Sequence, residues 1–177
     1  MEQKKIKKYF CFTEEKIAAG DYSAWDLLQP LWFSVSIYDG PEVYNKDLEG
    51  FTEEQRRLLA LQWYDSEVCN GGHDQFFANA TGVVWKDALE GMHMIGATQL
   101  ADNFQKVIDL LGGHIPFDTE ERNEMLDRLD EEGDFEGFEE MDDLFYEYEE
   151  ELEEWMDNYV MEHAEKFVVD GEYDYFE

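Results

Sequence analysis

The sequence predicts an all-α fold: a single-domain helical bundle of about six to eight helices, ending in a long acidic C-terminal helix. Three observations lead there. Only three prolines occur in 177 residues. No apolar–polar alternation runs long enough to suggest a sheet, and apolar residues recur at spacings of three and four along most of the chain. Hydrophobic residues at 44%, with 16% aromatics, supply the core of one ordinary domain spanning residues 1–177 and exclude a wholly disordered acidic tail.

The elements follow in order. Thr13 ahead of Glu14, Glu15 and Lys16 opens a first helical stretch. An aromatic-rich one covers residues 22–38, with Pro30 marking a kink or break. Thr52 with Gln55 three residues on is a capping box, and its helix runs through Leu58, Leu61, Tyr64 and Val68. Asn70-Gly71-Gly72 stops that helix, since glycine takes left-handed angles at a helix end without penalty. A short helical piece over residues 74–80 ends at Gly82.

Residues 85–111 then read as one long helix. Leu89, Met92, Gly96, Leu100, Phe104, Val107 and Leu111 share a face, and Gly112-Gly113 terminates it. Asp118 with Glu121 caps a further helix containing Met125, Leu126 and Leu129. A glycine-punctuated acidic link over residues 130–137 leads into a last helix of about residues 138–167.

Charge is the distinctive property. The chain holds 13 Lys and Arg against 45 Asp and Glu, a net of −32. Residues 1–111 carry 10 bases and 18 acids, whereas residues 112–177 carry 3 bases and 27 acids. A one-ended excess makes a directed field, which repels phosphate and so excludes direct nucleic-acid binding and docking on an anionic membrane. Partners are expected to be basic proteins.

On a helical wheel the last segment turns Met141, Leu144, Phe145, Tyr148, Leu152, Trp155 and Tyr159 inward. Glu139, Asp143, Glu147, Glu150, Glu154 and Asp157 lie opposite, with Glu151 among the flanking acids. Like charges stand four apart at Asp143–Glu147 and Glu147–Glu151, where a solvated helix normally gains from opposite signs. Residues 139–157 hold 11 carboxylates. As one helix of about 28 Å that is roughly one charge per 2.6 Å, approaching the one per about 1.7 Å of duplex DNA. These seven carboxylates are the candidate partner-binding residues.

Other chemistry finds little support. Cys11 and Cys69 have neither metal spacing nor a disulfide framework, which suits a reducing cytoplasm. The start, MEQKKIKKYF, lacks the apolar run of a secretory signal. A calcium-loop pattern over residues 130–141 fails at Phe135, where glycine is needed, and at Met141, where glutamate is needed. Glu90 with His93 forms a single Glu-x-x-His, half of what a carboxylate di-metal site requires. No catalytic residue, cofactor or metal is expected. The remaining enzyme reading is a small metal- or ligand-handling site built on His73, Glu90 and His93.

The run around the double glycine stands out locally. It reads either as a structural corner, with Asn70 and Asn79 bonding helix ends and Gln75 spanning the turn, or as a small polar pocket around Asn70, His73 and Gln75. The stretch EVCNGGHDQFFANATG, followed by HMIGATQLADNFQKVIDLLG and by Met141-Asp142-Asp143-Leu144-Phe145-Tyr146, resembles the bacterial DNA-mimic-protein-like family over about residues 50–168. Asn70, Gly71, Gly72, Gln75, Phe76, Phe77 and Asn79 form the most specific part of that resemblance. His73 departs from it, standing where the family pattern has a large apolar residue, usually Phe.

The resemblance implies an all-helical fold, often dimeric, with no catalytic residues; residues 1–49, outside it, are expected to form a helical extension packed on it. It also implies an acidic surface that occupies the DNA-binding face of a basic protein such as a helix-turn-helix transcription regulator. An immunity-type protein against a basic toxin is the other partner class the charge fits. The basic arm at Lys4, Lys5, Lys7 and Lys8 is expected either to fold onto the acidic surface or to serve another role.

Overall fold

Thr52 and Gln55 exchange their two hydrogen bonds as a capping box, and helix α4, Glu53–Ala78, grows from it. The computed structural model describes residues 5–132 and 137–176, and α4 is its axis. Gln55, Leu58, Leu59, Leu61, Tyr64, Val68, Phe76 and Phe77 are buried on several sides of α4, as expected of a helix with neighbours all round. Around it pack α2, Ala24–Trp32, α5, Trp85–Ile95, α7, Thr119–Glu132, and α8, Glu139–Glu147. Gly91 brings α5 against α4: a Cβ there would lie 2.9 Å from the Arg57 carbonyl oxygen. The remaining helices are α1, Glu14–Ala18, α3, Pro41–Asp47, α6, Thr98–Leu110, and α9, Glu149–Glu162. One contiguous core runs from Phe12 to Phe167.

Several expectations need correcting. The mostly helical fold broadly fits the expected all-α class, with one small sheet added: β1, Lys5–Phe12, pairs antiparallel with β2, Val169–Phe176, in register from Lys5↔Phe176 to Phe12↔Val169. Each strand alternates over a few residues only, and its partner lies at the other end of the sequence, so neither signals a sheet alone. The ribbon buries Phe12 and Tyr173, and its outer face pairs Lys7 with Glu172. The basic arm, as far as it is described, is therefore a strand beside an acidic strand. Lys4 lies outside the described residues.

The single helix expected over residues 85–111 is two, α5 and α6. Gly96 takes φ 80° and ends α5 although the apolar spacing continues. Met92, Leu100, Phe104 and Val107 are buried as expected, but from two helices. The long acidic C-terminal helix is likewise broken. Tyr148, at φ −116° and ψ 6°, separates α8 from α9, and α9 stops at Glu162. Three glutamates, Glu149–Glu151, open α9, a placement the positive end of a new helix favours.

The double glycine interrupts its helix, as expected, and two helical pieces meet at a kink within Glu53–Ala78. Gly71 and Gly72 leave helical angles, and the chain turns a corner inside α4 before continuing to Ala78. α2 is shorter than residues 22–38 and begins at a Ser23–Asp26 capping box. Asp118 caps α7 as expected, accepting from the Glu120 and Glu121 amides. Residues 133–136, shared by the acidic link and the calcium-like pattern, lie outside the described residues.

Candidate functional site

The corner in α4 is where the C-terminal helices are fastened. Gly72 sits at φ 71°, and a Cβ on it would lie 2.4 Å from Asp142 Oδ2, so only glycine lets that carboxylate reach the backbone. Asp142 Oδ1 accepts from the His73 amide at 2.9 Å and from His73 Nδ1 at 2.5 Å. With the proton on Nδ1, Nε2 accepts the Tyr64 hydroxyl at 2.7 Å. Burial holds the Tyr64 hydroxyl well above its ordinary range, with the Asp142 charge adding to the effect, so it stays a donor.

His73 is fully buried, its ring centre within about 6–7 Å of those of Phe104, Phe138 and Phe145. That aromatic enclosure is the physical setting a large apolar side chain would also fill. Imidazole adds the polar link from Tyr64 to Asp142. Two further bonds hold α8: the Tyr146 hydroxyl donates to the Val68 carbonyl at 3.1 Å, and Asn103 donates to the Met141 carbonyl at 2.8 Å.

Gln75 spans the corner to Glu67 Oε1 at 2.7 Å, and Asn79 reaches the same oxygen at 2.6 Å. Asn70 is exposed, while Phe76 and Phe77 are fully buried. Beneath them lies a residue the sequence reading did not single out. Arg122, fully buried, donates to the carbonyls of Phe77 at 2.9 Å, Asn79 at 2.7 Å and Phe117 at 2.6 Å. Its signal was its position, since the acidic third of the chain keeps only Arg122, Arg128 and Lys166 as bases.

The structure does not gather the metal-site candidates. His73 is sealed as described, Glu90 pairs with Arg57 at 2.9 Å, and His93 is exposed on α5. Among the described residues no group of three His, Cys, Asp or Glu is placed to hold a metal ion.

The acidic candidates occupy the outer side of α8 and α9. Glu139, Asp143, Glu147, Glu150, Glu151 and Glu154 are all exposed. Among the described residues no lysine or arginine pairs with any of them. Asp157 differs. It is half-buried, and its Oδ1 accepts the Ala24 amide at 2.6 Å, tying α9 to the start of α2.

Between α2, α4 and α9 runs a groove of about 310 Å³ whose walls include Trp25, Asp65, Glu149, Glu153 and Met156. Burial, followed by the nearby Glu149 charge, pushes Asp65 up to about 6. An unfolded aspartate titrates near 4, so the native state binds the proton more tightly and stability falls as pH rises through this window. Asp65→Asn is therefore expected to stabilise the protein by about 1–2 kcal/mol at pH 7.5. The advantage should fade as pH drops from about 6 to about 4, read by urea unfolding across that range. A pH-independent difference would show that Asp65 does not carry the shift.

Fold and surface together define an acidic helical protein that presents carboxylates from a fastened frame. Comparison with known families narrows this: residues 49–163 match the DMP19-like protein family, and the chain belongs to that family, one of DNA-mimic proteins. No curated protein and no solved structure matches the chain. No helix among the described residues is long and apolar enough to cross a membrane.

Proposed function

We propose that the protein acts as a DNA mimic, its α8–α9 carboxylates taking the place of phosphates against the basic DNA-binding face of a protein such as a helix-turn-helix transcription regulator in the cytoplasm. Glu139, Asp143, Glu147, Glu150, Glu151 and Glu154 make the contact, with Asp157 at its margin. The observation that carries this reading is the row of exposed carboxylates with which, among the described residues, no lysine or arginine pairs, on helices pinned to the core through Asp142, Tyr146 and Asp157. Carboxylates accept the forked guanidinium of arginine as phosphates do. The break at Tyr148 distributes the charge along two short rods instead of one.

Capture of partners from the native cell extract, followed by competition with duplex DNA, tests the proposal. Basic DNA-binding proteins should be recovered, and DNA should displace them. Neutralising Glu139, Asp143, Glu147, Glu150, Glu151 and Glu154 to their amides should weaken binding by about a hundredfold or more at low salt and flatten its dependence on salt. Partners that are not basic, or that DNA fails to displace, would overturn the reading.

A further inference from the structure

A line of aromatic rings leads into the acidic groove. Trp25 meets Trp32 edge-on at 5.3 Å, Trp32 stacks on Trp63 at 3.6 Å, and Tyr38 meets Trp63 edge-on at 6.5 Å. Its two ends are open, Trp25 at 37% and Tyr38 at 75% exposure. Trp25 also lines the groove with Gln62, Asp65, Glu149, Glu153 and Met156, and no lysine or arginine is among the groove's walls. Among the described residues no base lies over any of these four rings.

We propose that this aromatic line and the groove at its end form a docking surface for an arginine-bearing segment of a protein partner, with one guanidinium stacked on Trp25 and forked onto the carboxylates of Asp65 and Glu153. Charge complementarity selects the occupant. Stacked aromatics attract cations through their negative faces, and the groove adds carboxylates that no lysine or arginine among the described residues pairs with. Arginine suits it better than lysine because a planar, weakly hydrated guanidinium can stack and pair at once, whereas an ammonium holds its water. A second copy of the chain would bring its own −32 charge to the same surface. Burial, and after it the Glu149 charge, disfavour the ionised Asp65 carboxylate, and a paired cation would offset both.

The proposal rests on the reading above for the sign of the partner's charge, but it adds a preference that general polyanion mimicry lacks. Hexa-arginine and hexa-lysine peptides are titrated at 150 mM salt, following tryptophan fluorescence and the indole N–H signal of Trp25. The arginine peptide should bind about fivefold more tightly and shift that signal. Trp25→Leu should bring the two affinities together, whereas Trp25→Phe should keep most of the difference.

Should Trp25→Leu fold poorly, the Asp65→Asn/Glu153→Gln pair makes the same test. A variant with Glu139, Asp143, Glu147 and Glu154 neutralised should weaken both peptides alike and keep the preference. Equal affinities for the two peptides, or a preference that survives both groove variants, overturn the proposal. Failure of DNA to compete for the natural partner would instead overturn mimicry and leave this preference standing.

Discussion

Arg122→Leu is expected to be among the most destabilising single changes in the molecule, costing about 3–5 kcal/mol. The side chain is fully buried and donates to carbonyls from two stretches: Phe77 and Asn79 at the end of α4, and Phe117 in the connection before α7, with the Thr119 hydroxyl at 3.2 Å as a further acceptor. The bond to the Phe77 carbonyl is buried, and those to Asn79 and Phe117 are part-buried. Burial also lowers the guanidinium to about 10, so the charge itself is held at a cost that the fan of acceptors offsets. Leucine removes the charge but leaves the acceptors orphaned, and orphaned buried acceptors carry the larger penalty.

Arg122→Lys should recover only part of the loss, because one ammonium lacks the fork that reaches separate carbonyls. Urea unfolding monitored by circular dichroism gives the comparison. Urea is preferable to guanidinium chloride because it leaves the large net charge unscreened. A leucine variant within about 1 kcal/mol of the parent would show that the carbonyls find other donors.

Such a residue illustrates which parts of the fold were legible in the sequence. The Thr52–Gln55 box and the Asp118 cap were readable because each is complete within four residues. The inward set Met141, Phe145 and Leu152 was readable because burial follows helical period locally, even where the helix is interrupted. Interruption itself was not readable at Gly96 or Tyr148. At both places the apolar spacing continues across the break, and the change of direction is decided by what the next helix packs against.

The ribbon of β1 and β2 was hidden for a related reason, since its pairing joins the two ends of the chain. At the site, the outward carboxylates came from the wheel. The partners that matter most to the frame, Asp142 and Arg122, act across long sequence separations and carry no local pattern. Asp157 was read as an outward acid and lies instead at the Ala24 amide, because α2 packs over that part of α9.

Gly72→Ala is expected to cost about 3–5 kcal/mol and to loosen α8 selectively. Two penalties coincide at this position. With φ 71° and ψ −174° the backbone lies in a region that is essentially glycine's alone, worth about 1–3 kcal/mol to any other residue. The added methyl would also meet Asp142 Oδ2 at 2.4 Å and Cγ at 2.9 Å. The carboxylate must then leave the His73 amide, stranding a buried donor.

Gly71→Ala supplies the contrast. Its φ of −164° is ordinary extended backbone, and the nearest obstacle is the end of the flexible Gln75 side chain, so about 1 kcal/mol is expected. Hydrogen exchange should place the Gly72→Ala effect in residues 139–147, with faster exchange there than in α6. Asp142→Ala separates the terms: it keeps the glycine and its backbone but removes the acceptor of the His73 amide, so its cost should approach the second penalty alone. If the corner is what holds the acidic helices in place, both variants should also weaken partner binding although neither removes an outward carboxylate. Undiminished binding by a variant whose α8 exchanges freely would mean that the partner organises the acidic surface for itself.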